Sequence, residues 1–348
     1  MQTRKINVGG VEIGGGAPVS VQSMTNTQTA NVKATAAQIR ALEDAGCEII
    51  RLAVPDMEAA QAVCELKKVA RVPLVADIHF DYRLALAALE SGIDKIRINP
   101  GNIGSPDRVR KVAEACKERG VPIRVGVNAG SVRRDIIAKY GGVTADALAE
   151  GAVSHIELLE DCGFFDIAVS IKAPSVPLTI EAYRRMSRLR DYPMHVGLTH
   201  SGTSHMGIIK SAAAIGALLS EGIGDTIRVS LTEDPVEEVY AGIDILKSLE
   251  LRRGLNVIAC PTCGRCKIDL ISLANRVEER LRDVKKPITV AVMGCAVNGP
   301  GEAREADVGI AGGDQEGLVF CKGEIVKKVP YDMLLDELMR QIDMLEAR

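Results

Sequence analysis

Up to about residue 250 the chain alternates short β-branched runs with longer helix-like stretches, a pattern that restricts it to helices laid around a parallel sheet. The candidate strands are 19–24, 49–54, 73–78, 95–100, 123–128, 166–172, 194–199 and 225–231. The stretches that follow them, 32–45, 57–70, 81–91, 106–119, 144–161, 179–192, 208–221 and 235–249, carry helical patterning. Gly46, Gly92, Gly120, Gly163 and Gly222 stand where a helix end favours glycine. Eight consecutive βα units predict a TIM (β/α)8 barrel. Ahead of them, residues 6–13 alternate apolar side chains around Gly9-Gly10, which predicts a β-hairpin closing the bottom of the barrel.

A chain of 348 residues is longer than such a barrel, typically about 250 residues, so a second domain is expected. The pattern changes near Gly254, which divides the chain into a barrel, 1–254, and a small α/β module, 255–348. The module reads as a cysteine-rich turn, a helix over 269–283, a strand over 288–293, strand-like runs around 308–310, 317–321 and 324–329, and a last helix over 331–345.

The barrel's chemistry is expected at the C-terminal strand ends. There the chain carries Gln22, Thr25, Asn26, Arg51, Asp77 and His79, then Arg97 with Asn99 and Arg124 with Asn128. Ser170 with Lys172, Thr199 with His200, and Arg228 with Ser230 complete the set. Residues i and i+2 share a strand face, so Arg97 with Asn99, Ser170 with Lys172 and Arg228 with Ser230 each look the same way, into the mouth. Any one buried arginine is as well explained by a carboxylate partner. Arg51, Arg97, Arg124, Lys172 and Arg228 on five separate strands instead suit a multiply charged phosphate ester, because guanidinium forks bind phosphate oxygens in pairs. A small diphosphate is the expected substrate.

Composition removes other classes. The formal charge of -3 and an aromatic content of 3%, without Trp, leave neither a basic surface nor stacking platforms for nucleic acid. The basic N-terminus has no apolar run behind it, and no stretch is long enough for a membrane span, so a cytoplasmic protein is expected. The nine cysteines form an odd set in an Ala- and Val-rich chain, which favours reduced thiols over a disulfide scaffold.

Two cysteine motifs mark the module: Cys260-Pro-Thr-Cys263-Gly-Arg-Cys266 and Gly294-Cys295-Ala-Val-Asn298-Gly-Pro-Gly-Glu302. A Cys-x-x-Cys turn grips a metal centre from one side, and a distant loop closes the site. Three readings stand. Zinc would take Cys260, Cys263, Cys266 and Cys295. An iron–sulfur cluster would accept the Cys-x-x-Cys-x-x-Cys spacing with a remote fourth ligand, although the usual Cys-Pro fourth ligand is absent. In the third, Cys266 is only a small buried side chain. Cys47, Cys64, Cys116, Cys162 and Cys321 have no partner spacing and read as core filler.

Together with Ser20–Asn26, Ala76–Arg83, Arg97–Asn102 and Asp225–Ser230, the two cysteine motifs closely resemble, in order and over essentially the whole chain, the flavodoxin- or ferredoxin-dependent 4-hydroxy-3-methylbut-2-enyl diphosphate synthases of the methylerythritol phosphate isoprenoid pathway, in their short two-domain form. The resemblance implies a [4Fe-4S] cluster held by Cys260, Cys263, Cys295 and Glu302, with Cys266 a spectator or spare ligand. It implies reductive ring opening of 2-C-methyl-D-erythritol 2,4-cyclodiphosphate with loss of water, fed by reduced ferredoxin or flavodoxin. The diphosphate would be held by Arg51, Arg97, Asn99, Arg124, Asn128, Lys172, Thr199, Arg228 and Ser230. A homodimer is also implied, in which the cluster domain of one subunit covers the barrel of the other. At Leu198-Thr199-His200-Ser-Gly202 the chain departs from the family's Thr-Glu-Ala-Gly, so the catalytic pair becomes Glu302 and His200, with His205 or Glu233 as the other proton sources. The rival reading is a pterin- or corrinoid-linked methyltransferase, whose mouth should be broader and less cationic. A zinc-stapled binding protein with an inert barrel would leave the polar strand ends and Glu302 without a purpose.

Overall fold

The computed structural model describes residues 2–173, 175–199, 202–266, 268–281, 284, 286–295, 301, 303–313 and 315–346. The chain divides into two units, Met1–Leu251 and Arg252–Arg348.

The first unit opens with a hairpin, β1 (Ile6–Val8) and β2 (Val11–Ile13), in antiparallel register. Eight parallel strands follow: β3 (Ser20–Met24), β4 (Ile49–Ala53), β5 (Leu74–Asp77), β6 (Lys95–Ile98), β7 (Ile123–Asn128), β8 (Ile167–Lys172), β9 (His195–Gly197) and β10 (Thr226–Arg228). They pair in the order β8-β7-β6-β5-β4-β3-β10-β9, and a parallel bridge between Val169 and Met194 joins the two ends into a ring. The expected (β/α)8 barrel is therefore formed. Its helices are α1 (Val32–Asp44), α2 (Met57–Val69), α3 (Tyr82–Glu90), α4 (Pro100–Ile103), α5 (Pro106–Arg119), α6 (Arg134–Lys139), α7 (Ala145–Glu160), α8 (Val176–Leu189), α9 (Ser204–Ser220) and α10 (Pro235–Ser248).

Local chemistry sets the helix ends. Asp56 accepts from the Ala59 N–H at 2.8 Å to start α2, and Gly120, at φ 63°, ends α5 in the left-handed conformation. The helix after β8 starts at Val176, earlier than the sequence pattern indicates, because Ser175 caps it and Pro177 fits its first turn. The short helices α4 and α6 carry too few turns to leave a periodic signal, and the sequence reading lacks them.

Strand alternation separates two environments. Ile50, Leu52, Ile96, Ile98, Val125, Val169 and Ile171 belong to one buried cluster with helix residues such as Leu66, Val112 and Leu148. The intervening residues Arg51, Lys95, Arg97, Arg124, Ser170 and Lys172 then face the barrel axis. Ile6, Val8 and Ile13 of the hairpin cluster with Ile49, Val75 and Ala168 at the N-terminal strand ends, so the hairpin does plug the barrel bottom.

The second unit is a five-stranded sheet in the order β11 (Asn256–Ala259), β12 (Thr289–Met293), β13 (Val308–Ala311), β14 (Glu316–Cys321) and β15 (Glu324–Pro330). The first three strands are parallel and the last two pair antiparallel. Helices α11 (Leu270–Leu281) and α12 (Leu334–Glu346) contribute Leu273, Val277, Leu338 and Ile342 to a core with Val290, Val308 and Val319. Strand β11 is absent from the sequence reading; it is a short, part-exposed edge strand that runs straight into the cysteine turn. No helix among the described residues is long and apolar enough to cross a membrane.

Candidate active site

Asp77, Arg97 and Arg124 stand in register across β5, β6 and β7. Asp77 accepts a hydrogen bond from Arg97 Nη1 at 2.9 Å and lies 3.6 Å from Arg51 Nη2 and 3.3 Å from His79 Nε2. Burial alone would raise the Asp77 carboxyl; Arg51, the His79 hydrogen bond and Arg97 outweigh it and hold the group well below the usual carboxylate range. On the other side of the barrel Arg228 pairs with Glu238 of α10 at 3.2 Å, and Glu238 also accepts from Ser23 Oγ and the Leu231 N–H, each at 3.0 Å. The Met24 sulfur links the two halves, accepting from Arg51 Nε at 3.0 Å and Arg228 Nη1 at 3.6 Å.

Positive charge exceeds this compensation. Arg124 and Lys172 have no ion pair among the described residues. Arg124 Nε and Nη1, Arg97 Nε, Asn99 Nδ2 and Lys95 Nζ are buried and lack a hydrogen-bond partner. Each unpaired buried donor costs about 1–3 kcal/mol, and those of Arg124 belong to a residue that lines the cavity at the barrel mouth, where an accepting anion is favoured. Burial, then Arg51, Arg97 and Arg124, pushes the Lys172 ammonium down to about 7. His195, with Nδ1 2.7 Å from Thr226 Oγ1, is driven well below its ordinary value by burial and the surrounding cations. It is neutral at physiological pH.

A small cavity, open at its mouth, lies over this layer. Arg51, Arg124, Lys172, Thr199, Arg228 and Ser230 line it, together with His195 and Tyr183. The other three proposed diphosphate ligands stand elsewhere. Arg97 is held by Asp77; Asn99 spends its side-chain oxygen on the Gly101 N–H at 3.2 Å; and Asn128 closes a turn with Ser131, whose Oγ accepts from its N–H at 3.0 Å. His200 lies outside the described residues. Lys95, Tyr183 and Glu238 were missed by sequence reasoning. Glu238 has the appearance of an ordinary first-turn helix carboxylate, and nothing local marks it as the partner of Arg228.

In the second unit, β11 and β12 end side by side, Ala259 in register with Val292, so Cys260 and the loop bearing Cys295 emerge from one sheet edge. The Gly294 N–H donates to Cys260 Sγ at 3.2 Å. Cys263 is exposed, and hydrogen bonds from Arg265 lower its thiol below the ordinary value. Soft sulfur donors assisted in this way suit zinc or an iron–sulfur centre. Cys266 behaves differently: its Sγ donates to the Ile268 carbonyl at 3.3 Å, and it packs so tightly on Gly294 that a Cβ there would come within 2.7 Å of the sulfur. Among the described residues no group of three or more His, Cys, Asp or Glu is close enough to hold one metal ion. Glu302 and Asn298 lie outside the described residues.

The remaining cysteines correct one expectation. Cys47 and Cys116 are buried, with thiols pushed up to about 12 by that burial, but Cys64 is exposed on the outer face of α2, beside the buried Val63, and fills no core.

A parallel (β/α)8 barrel with unpaired cations at its C-terminal mouth, followed by a cysteine-bearing α/β unit, defines a barrel enzyme acting on a small anionic ester. Residues 3–243 match the family model for the GcpE TIM-barrel domain, and residues 256–344 match the GcpE protein C-terminal domain. The chain belongs to the GcpE family. It is 58% identical over 342 residues to the 4-hydroxy-3-methylbut-2-en-1-yl diphosphate synthase (flavodoxin) of Ruminiclostridium cellulolyticum, covering 98% of this chain and 97% of that one. It is 57% identical over 347 residues to the synthase of the same name from Bacillus mycoides, covering 99% and 95%. Among solved structures, Yersinia pestis dihydropteroate synthase aligns at a TM-score of 0.51 and 15% identity, over 71% of this chain and 98% of that one. Geobacillus kaustophilus 3-dehydroquinate dehydratase aligns at 0.51 and 16% identity, over the same shares. These last two likenesses show the barrel fold alone and give the methyltransferase reading no support.

Proposed function

We infer that the chain is a 4-hydroxy-3-methylbut-2-en-1-yl diphosphate synthase: it reductively opens the ring of 2-C-methyl-D-erythritol 2,4-cyclodiphosphate and releases one oxygen as water, consuming two electrons and a proton. The observation that carries this reading is the unbalanced cationic layer of the barrel, in a chain matched nearly end to end by enzymes of that name.

Arg51, Arg124, Lys172 and Arg228 bind the diphosphate oxygens, with Thr199 and Ser230 donating from the rim. Arg97, fixed by Asp77, and Asn99 and Asn128 at their strand ends shape the layer beneath. Bound, a [4Fe-4S] cluster would supply electrons singly and offer an iron open to a substrate oxygen. Its proposed ligands are Cys260, Cys263, Cys295 and Glu302. The sulfur donors at the ends of β11 and β12 support this set, and the packed Cys266 supports its exclusion. Glu302 is the proposed carboxylate ligand, since a hard oxygen leaves a cluster iron more readily than a thiolate. His200, which follows the cavity-lining Thr199, is the proposed proton donor; an imidazole with a reference pKa of about 6.5 suits the task. Reduced flavodoxin is the proposed electron donor, in line with the relatives' names, with ferredoxin as its substitute. The unit 1–254 serves as substrate binder and 255–348 as cluster carrier, in a cytoplasmic homodimer whose subunits complete each other's sites.

Anaerobically purified protein tests the reading. About four iron and four sulfide per chain are expected, with a reduced-state paramagnetic signal that the cyclic diphosphate perturbs and turnover dependent on reduced flavodoxin. Stoichiometric zinc without iron after attempted cluster reconstitution would overturn it.

A further inference from the structure

The barrel closes between β8 and β9, where an isolated parallel bridge pairs Val169 with Met194. There the Val169 N–H donates to the Pro193 carbonyl at 2.9 Å. A continuing parallel ladder would next place the Ile171 N–H on the His195 carbonyl. The hydroxyl of Tyr183 stands between them instead, accepting from the Ile171 N–H at 3.0 Å and donating to the His195 carbonyl at 2.5 Å. Tyr183 comes from α8, is fully buried and lines the cavity whose walls include Lys172 and Thr199. Burial pushes its phenol upward, so it keeps the proton that the second hydrogen bond needs.

We propose that Tyr183 is a positioning residue for substrate binding: its hydroxyl wedges the β8–β9 seam open beside the cavity and so sets the separation of Lys172 and Thr199, between which the diphosphate is held. A direct ladder bond would bring nitrogen and oxygen to about 2.9 Å; an interposed hydroxyl keeps the two strands farther apart at the level of the mouth. Without it, two buried backbone groups either lose their partner or close on each other, and closing restores the ladder while narrowing the site. This inference rests on the barrel being the diphosphate site.

The test uses the full-length holoenzyme. Tyr183→Phe is compared with Tyr192→Phe, whose lost hydroxyl bonds Glu160 at 2.9 Å, away from the cavity lining. Two measurements are made: steady-state kinetics with the cyclic diphosphate, and calorimetric binding of inorganic pyrophosphate, which needs no electron supply. Tyr183→Phe is expected to raise KM and the pyrophosphate Kd about 10-fold, with kcat within about twofold, while Tyr192→Phe changes thermal stability but neither constant. Should the Phe variant not fold, Tyr183→Gln, which can donate and accept but cannot reach across, carries the same expectation. An unchanged KM and Kd, or a fall in kcat alone, overturns the proposal. If the wild-type protein neither turns over nor binds pyrophosphate, the diphosphate reading itself fails and the proposal falls with it.

Discussion

Arg97 reaches Asp77 across neighbouring strands at 2.9 Å by occupying the space that a side chain on Gly126 would fill: a Cβ there would lie 2.5 Å from Arg97 Nε and 2.6 Å from Nη2. Gly126→Ala must therefore displace a buried guanidinium that has little room to move. We expect a loss of about 1–3 kcal/mol in stability, as for other overpacked sites, and a several-fold rise in KM. Denaturant unfolding alongside kinetics checks both; a variant indistinguishable from wild type would mean that Arg97 can leave Asp77 freely.

Asp77 is shared by Arg51 and Arg97. Asp77→Asn leaves two buried cations uncompensated, for which about 3–5 kcal/mol of destabilisation is expected. The sign of the pH effect follows from the lowered carboxyl: Asp77 contributes its full stabilisation above the unfolded carboxyl value near 4, and loses it as pH falls through the still lower folded value. Urea midpoints of wild type and Asp77→Asn should thus differ most near neutrality and converge in acid.

Lys172 should impose a pH dependence on substrate capture. Its ammonium, pushed to about 7 in the free protein by burial and then by Arg51, Arg97 and Arg124, is protonated below that pH and increasingly neutral above it. An anion binds the protonated form. Accordingly kcat/KM is full below about pH 7 and falls as pH rises, whereas Lys172→Arg, whose charge persists, should flatten the profile between pH 7 and 9. A wild-type profile already flat over that range would remove Lys172 as the titrating group.

Cys266 and Cys295 separate packing from ligation. Cys266→Ser should leave iron and sulfide content near the wild-type value with a modest loss of stability, because its sulfur serves the Ile268 carbonyl and Gly294. Cys295→Ser should abolish cluster content. Equal loss in both variants would make Cys266 a ligand.

His200→Ala tests the proposed proton donor. We expect kcat to fall by about 10²-fold or more with KM little changed, the usual scale of a lost general acid. Unchanged turnover would move the role to His205 or Glu233.

Most of the barrel was legible in the sequence because its information is local and repeated: a β-branched run followed by a helix-like stretch recurs eight times, and glycine follows five of those stretches. Six of the nine proposed diphosphate ligands line the cavity, since strand alternation fixes which residues face the axis. Asn99 and Asn128 follow the same alternation, but their side chain or backbone is engaged in turn formation at the strand ends. Strand β11 was illegible for the opposite reason: four part-exposed residues carry no period.

By itself the sequence determined the eight βα units, the cationic character of the mouth and the paired cysteine motifs, because each depends on residue type and spacing along the chain. Only the tertiary structure decided how charge is shared: that Asp77 serves Arg51 and Arg97, that Glu238 in the helix after β10 folds back onto Arg228, that Arg124 and Lys172 are left for an anion, and that Tyr183 occupies the seam. Such pairings bring together groups from different strands and helices, and their strength is set by burial and by distances of a few ångströms, which no local pattern encodes.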